Sequence, residues 1–341
     1  KKRYHNRALA ISHSNMEYLD RLNIFKKKTY TKWNVNGINL FNCKEKSTGS
    51  KIFDFYDKIK PLFIMVKNYD LDNILKEELK NNKLLQIYSN KKAGNIIKKI
   101  VTNKKKYNKS KYSIIFNCDS HNILNKKFFS KKIKKSYFAT SFTSFIGHQK
   151  TYNKVASQFF MPQGPLAFLP LSEKETSAVW SINNKYLFAN KRDNYEFFKN
   201  KIKKITLNGL KEISFSEINE HNLNFLISRE YYYENILNFG EGLHQIHPLA
   251  GQGLNMTIRD IKTLHTILKK NIELGLDLSS AILADFSKTS KSYNFLFAKG
   301  IDLTERYFSN NNKILSRFSD KLIKNANKNY FIKNFLIKVA D

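Results

Sequence analysis

The stretch that most constrains this chain is ILNFGEGLHQIHPLAGQGLNMTIRD at residues 236–260. A short β-branched and apolar run, Ile236–Phe239, reads as a strand that runs into glycines. An acidic residue, Glu241, stands at its carboxyl end. A polar loop containing Pro248 follows, and Gly251-Gln252-Gly253 opens a helix whose Ile258, Ile261, Leu264, Ile267 and Leu268 share one face over Met256–Leu268. Strand, acid, glycine loop and helix start together form an anion cradle. Glycines admit close backbone approach, and the first helical turn leaves N–H groups unpaired at the positive end of the dipole. A Gly-rich turn before a core helix is the plainer reading of a lone GQG. The acid, Pro248 and Asn255 standing in register with it favour the cradle.

The remaining elements place that segment in an α/β chain with an inserted antiparallel sheet. Residues 7–25 have a helical apolar spacing through Met16, Leu19, Leu22 and Ile24, with Ser12 or Ser14 as cap. Asp70–Leu79 reads as a second helix, and Ser113–Cys118 as a short buried strand ending at Asp119. Tyr137–Phe145 alternates as a half-buried strand does, while Leu166–Leu171 and Ser177–Ile182 fit a hairpin around Glu173–Glu175. Prolines at 162, 165 and 170 forbid a regular helix there and suit a loop and an edge strand. The last 60 residues are helical in pattern, basic and aromatic. Within them KNYFIKNFLIKVAD reads either as a helix lying in a membrane interface or as one packed on the body. No repeat and no Gly/Ser or Pro-rich linker divides the chain. Lysine runs at 27–31 and 104–112 read as exposed turns or helix ends.

Composition excludes several classes. Phe (27) and Tyr (18) supply a large core, which argues against disorder. Two cysteines, Cys43 and Cys118, exclude a disulfide scaffold and a four-cysteine zinc site, and fit a reducing, cytoplasmic setting. No apolar run reaches the roughly 18–20 residues of a spanning helix, and the first residues lack a secretion signal. Lys+Arg is 60 against 28 Asp+Glu, a net charge of +32, but only eight of the 60 are Arg. With Asn, Ile, Phe and Tyr abundant as well, we read the lysines as spread over solvated faces. Attraction to an anionic bilayer comes next, and nucleic acid last. His244 and His247 stand three apart without a third ligand nearby, so no metal site is expected. A P-loop and a G-x-S-x-G elbow are absent.

GEGLHQIHPLAGQGLNMTIRD resembles the second flavin-binding motif of the FAD-dependent aromatic hydroxylases, and above all their ubiquinone-biosynthesis branch, whose pattern runs GDAAH…HPxAGQGxNxGxRD. Three further blocks resemble the family in the same order: RALAISHSNMEYLDRLNIF, GPLAFLPLSEKETSAVWS and GIDLTERYFSNNN. The resemblance implies a three-layer, Rossmann-like FAD-binding domain, incomplete at its N-terminus. Residues 1–60 and 70–135 would supply its first parts, with some strands of the substrate domain, and 233–290 its second half. An inserted, mostly antiparallel substrate sheet would span 136–232, and C-terminal helices 291–341. It implies FAD, reduced by NAD(P)H or another donor, that meets O₂ to form a C4a-hydroperoxide and hydroxylates a polyprenylated phenol. It further implies that Glu241 holds the ribityl or pyrophosphate region, that Pro248, Gly251, Gln252, Gly253, Leu254 and Asn255 wrap the pyrophosphate and the pyrimidine edge of the ring, and that Arg7 reaches the adenosine or pyrophosphate side. The implied setting is peripheral, on the cytoplasmic face of the inner membrane, within a quinone-biosynthesis assembly and without nucleic acid. A hydroxylase of a small soluble aromatic and a non-catalytic remnant of the family are the alternatives. No catalytic base can be named.

The departures are specific. No G-x-G-x-x-G occurs, and we expect that an N-terminal segment carrying it is missing. Glu241 stands for an Asp, and Gly242 and Leu243 for two small residues. The middle motif ADGxxSxxR reads CDSHNILNK, with Ser120 where the turn should want glycine, Ile123 for Ser and Lys126 for Arg.

Overall fold

The computed structural model describes residues 7–25, 31–43, 50–102, 112–206, 211–247 and 251–309. The chain enters through strand β1 (Ala8–Ser12) and helix α1 (His13–Arg21), then β2 (Trp33–Val35), β3 (Gly37–Asn42), β4 (Ser50–Tyr56) and β5 (Phe63–Lys67). Two helices follow, α2 (Asn68–Asn81) and α3 (Asn90–Thr102), before β6 (Ile115–Asn117) and the short α4 (Ile123–Phe128). The insert runs β7 (Lys132–Gly147), β8 (Val155–Met161), β9 (Gly164–Ser172), β10 (Glu175–Asn183), α5 (Lys191–Thr206), β11 (Ser214–Phe215) and β12 (Asn219–Ser228). Then come β13 (Tyr232–Tyr233), β14 (Ile236–Asn238), β15 (His244–Gln245), α6 (Gln252–Glu273) and α7 (Ser280–Ser309).

Three sheets form among the described residues. The largest has nine strands in the order β15-β12-β7-β10-β9-β8-β3-β4, with β11 beside β7. It is antiparallel except where β3 runs parallel to β8. The smallest layers are β1-β5-β2, all antiparallel, and β13-β14-β6, in which β14 and β6 are parallel. α5 covers one face of the large sheet, where Phe198 and Ile202 meet Phe142, Ile146 and Trp180. The α/β architecture with a large inserted sheet and C-terminal helices is thus present, and its expected hairpin is β9–β10.

α6 is the hub. Ile258 packs with Ile11 and Val66 of the β1 layer and Met16 of α1, Met256 with Tyr137, Phe225 and Ile227 of the large sheet, and Leu264 with Leu237 and Phe286. One helix therefore packs against all three layers, and its first turn is fixed against β1 and α1.

Several local expectations change. Residues 8–12 form β1 instead of the first turn of a helix. Ile11 lies in the core and pairs with Ile64, so tertiary pairing overrides the helical spacing that begins only at Ser12, the N-cap of α1. β9 is an interior strand, not an edge. Its prolines are tolerated because Pro165 lies beyond the last β10 partner pair, Leu166–Trp180, and Pro170 sits beside the register shift at Glu175/Thr176. β3 and β4 belong to the large sheet, as does β15, and β7 begins at Lys132. Residues 328–341, residues 27–30 and most of 104–112 lie outside the described residues.

Candidate functional site

β14 and β6 lie side by side and parallel, and their carboxyl ends are tied by asparagines. Asn117 Nδ2 and Asn125 Nδ2 donate to Asn238 Oδ1 (3.0 and 3.2 Å), and Asn238 Nδ2 donates to the Gly242 carbonyl (2.7 Å). Asn117, Asn125 and Asn238 are all buried. The sequence signal of Asn117 and Asn238 is an amide at the last position of each strand; β14 is buried throughout, whereas β6, expected as a buried strand, leaves Phe116 exposed and buries only Asn117 fully. The knot explains Gly242, since a Cβ there would stand 2.4 Å from Asn238 Oδ1 and 2.8 Å from the Asn117 carbonyl. Leu243 is fully buried in the apolar cluster below. Above the knot, Gly240 turns with φ +54° into open space, and Glu241 is exposed at the tip.

Ser120, at the expected glycine position, shows no positive φ. Its Oγ accepts from Gln245 Nε2 (3.0 Å), so it links this turn to β15 instead of straining the backbone. That removes the steric objection to the missing glycine. Asp119 caps the same turn, accepting from the His121 backbone N–H (2.8 Å).

The helix start is built against β1. Gly251 is the N-cap of α6 in the left-handed region, φ +67°, with no side-chain capping bond, and a Cβ there would meet Ala10 Cβ at 3.2 Å. Asn255 fastens the first turn to β1 and α1. Its Oδ1 accepts from the Ser12 N–H (2.9 Å) and Asn15 Nδ2 (3.1 Å), and its Nδ2 donates to the Ala10 carbonyl (2.9 Å). The Asn255 side chain is thus engaged by protein, and Leu254 packs into the β1 cluster. What faces outward is the backbone. A Cβ on Gly253 would touch only Ile246 Cγ1, at 3.7 Å, and Gln252 Oε1 is buried without a hydrogen-bond partner. Arg7 is exposed at the head of β1, three residues from Ala10. Pro248 lies outside the described residues.

The two histidines of the loop turn to different partners. His244 Nε2 and Asp260 Oδ2 are 2.9 Å apart, both fully buried, and Asn294 Nδ2 from α7 donates to the same carboxylate (2.9 Å). His247 stands edge-on to Tyr137, ring centroids 5.1 Å apart, with Nδ1 buried and unpartnered. No group of metal-ligating residues forms among the described residues.

Burial pushes the His247 imidazole down to about 3; the Asp302 carboxylate opposes this and Lys135 adds to it. The folded value lies below the unfolded one of about 6.5, so the unfolded chain takes up a proton that the folded chain refuses. The resulting stability is full above about pH 6.5 and declines on acidification, by about 1.4 kcal/mol per unit, until the folded group itself titrates. Urea midpoints measured at pH 7 and pH 5 should therefore differ less in His247→Gln than in the parent.

A helix N-terminus with an αL glycine and no side-chain cap, an unpartnered amide oxygen on its first residue, and a glycine turn bearing a carboxylate fit half of a dinucleotide cradle. The family described as FAD binding domain matches residues 124–274, a range that includes the turn and the helix. The ubiquinone biosynthesis monooxygenase COQ6 of Dictyostelium discoideum is 27% identical over 224 residues, covering 54% of this chain and 43% of that protein. The 3-demethoxyubiquinol 3-hydroxylase of Escherichia coli is 29% identical over 163 residues, covering 45% and 40%. The matches thus span less than half the length of these relatives. Among solved structures, p-nitrophenol 4-monooxygenase PnpA from Pseudomonas putida superposes with a TM-score of 0.70 at 10% identity, over 97% of this chain and 87% of that one. Klebsiella pneumoniae HpxO, complexed with FAD and uric acid, gives 0.67 at 9% identity, over 98% and 87%. Residues 124–274 thus match the FAD binding domain family, and the chain is similar in sequence to ubiquinone-biosynthesis monooxygenases and in fold to p-nitrophenol 4-monooxygenase PnpA.

Proposed function

We propose that this chain acts as an FAD-dependent monooxygenase that hydroxylates the ring of a polyprenylated phenol in ubiquinone biosynthesis. The observation that carries this reading is the uncapped start of α6, laid across β1 by Gly251 and Asn255. Its free backbone N–H groups would receive the FAD pyrophosphate and stabilise negative charge by their number and the helix dipole. Glu241, one methylene longer than the expected Asp, would accept from a ribityl or ribose hydroxyl. Arg7 would meet the pyrophosphate side with its fork of donors. Bound FAD would supply the redox and oxygen chemistry, drawing on NAD(P)H or another reductant and on O₂. The chain's own task is then to hold, orient and keep dry, with the large sheet walling the ring. Work beside the cytoplasmic face of the inner membrane, within a quinone-biosynthesis assembly, fits a lipid-tailed substrate.

Flavin retention tests the reading without any substrate. The full chain, incubated with FAD and desalted, should keep a flavin absorbance band. Gly253→Val should lose it, because the branched side chain would fill the space above the first turn. The fold should survive that change, since the nearest atom to a Cβ there is an ordinary contact at 3.7 Å. Equal flavin retention by both proteins, at matching circular dichroism, would place the cradle elsewhere.

A further inference from the structure

From Leu75 to Lys92 every residue is exposed. The core holds α2 by Leu71 and Ile74 in its first half and α3 by Ile100 and Val101 in its last turns. Between these anchors lies a continuously exposed segment, the α2–α3 finger. About seven residues of α2 lie beyond Ile74, roughly 10 Å of helix at 1.5 Å per residue. The crown of this finger is Leu84-Leu85-Gln86-Ile87-Tyr88, with Leu84 93% and Ile87 71% exposed. Single exposed leucines are unremarkable, but four exposed large apolar side chains within five residues of one connection are not. Local bonds shape the crown: Asn82 Oδ1 accepts from the Leu84 N–H (2.9 Å), and Tyr88 Oη donates to Gln86 Oε1 (2.6 Å).

The charge around it is one-sided. No Asp or Glu occurs between Glu78 and Asp119, while Lys80, Lys83, Lys91 and Lys92 flank the crown, Lys92 lying over the Tyr88 ring at 4.3 Å. Glu77 and Glu78 lie on α2, further back towards the body. We propose that this α2–α3 finger is a membrane-docking element, which seats Leu84, Leu85, Ile87 and Tyr88 among the acyl chains of an anionic bilayer while its lysines meet the headgroups. Insertion of apolar side chains to interfacial depth, with lysines held at the lipid phosphates, matches this pattern. Nucleic acid would reward the lysines and not the aliphatic crown, and a second copy of so basic a finger would be repelled by the first. The inference rests on exposure and charge alone and stands whether or not FAD binds. It also does not require a spanning segment, and none of the described helices is long and apolar enough to be one.

The test is flotation of the full chain with vesicles of phosphatidylcholine, with and without phosphatidylglycerol. The parent should float with the anionic vesicles only. Leu84→Asp/Ile87→Asp should lower that binding by about tenfold or more, as expected when two aliphatic anchors are lost. Lys83→Glu/Lys91→Glu/Lys92→Glu should abolish the preference for phosphatidylglycerol. Leu84→Trp should shift its emission to the blue on anionic vesicles and be quenched by brominated lipid; the native Trp33 and Trp180 lie in the body. Because the crown is exposed, circular dichroism should be unchanged in all of them. Flotation of the double Asp variant like the parent would overturn the proposal. So would failure of the parent to float, loss of double-stranded DNA retention in the Asp variant, or sedimentation showing that it dissociates a dimer.

Discussion

Gly164→Ala is expected to leave little soluble, cooperatively folding protein. Gly164 opens β9 with φ +128°, a region that L side chains rarely adopt. A Cβ built there would lie 1.9 Å from the Ser181 carbonyl oxygen and 3.1 Å from its carbon. Both are backbone atoms of β10, so no rotamer change relieves the clash. The same carbonyl side of the turn is in use: Trp180 Nε1 donates to the Gly164 oxygen (3.1 Å), and the Asn183 N–H donates to the Gln163 oxygen (2.8 Å). Trp180 is wholly buried in the cluster beneath α5. Moving Gly164 therefore moves the largest side chain of that core. Strain and repacking together should exceed about 4 kcal/mol, beyond the usual range for one substitution. Soluble yield and the urea midpoint read the outcome, with Trp180→Phe as the milder comparison that keeps an aromatic ring and loses the bond. A parent-like midpoint for Gly164→Ala would show slack in the β8–β9 turn that the geometry does not indicate.

Asp260→Ala should cost about 3–5 kcal/mol of folding stability, the range for removing one partner of a buried polar pair. Its carboxylate accepts from Asn294 Nδ2 and lies 2.9 Å from His244 Nε2, and all three residues are buried. The substitution strands two polar groups in a closed interior. Its structural reach is wide, because it unlinks α6 from both α7 and β15. Asp260→Asn, which keeps the shape, should lose less. His244→Ala combined with Asp260→Ala should cost clearly less than the two single changes summed, and additivity would show that the pair is not coupled.

What the sequence discloses follows from how local each determinant is. The amphipathic run from Met256, the β9–β10 hairpin and the strand before Gly240 are written in short-range periodicity, and each forms. β1 was hidden because a five-residue strand, Ala8–Ser12, precedes a helix whose apolar spacing swallows it; only pairing with β5 reveals it. The interior place of β9 was hidden for the opposite reason. Its prolines argue for an edge, while the bulge at Glu175/Thr176 that excuses one of them belongs to another strand. In the cradle, Gly251 and Gly253 were legible as glycines, but the division of labour was not. One is required by contact with Ala10, more than 200 residues earlier, and the other leaves open space. Asn255 shows the limit most clearly. Its spacing marks it as part of a ligand motif, and its side chain serves as the rivet between helix and strand.

The parallel seam between β3 and β8 has a consequence for how this protein comes to be. One rim of the great sheet is contributed by residues 37–56 and the opposite rim by His244–Gln245, so both borders come from outside the span that supplies its middle. A polypeptide still emerging from synthesis holds the first border long before its neighbour β8 exists, and the second arrives only after the whole insert. Until then the central strands present raw, hydrogen-bond-hungry margins of the kind that recruit other chains. Closure of the sheet thus waits on segments from both sides of the insert, and the middle span cannot be treated as a free-standing module.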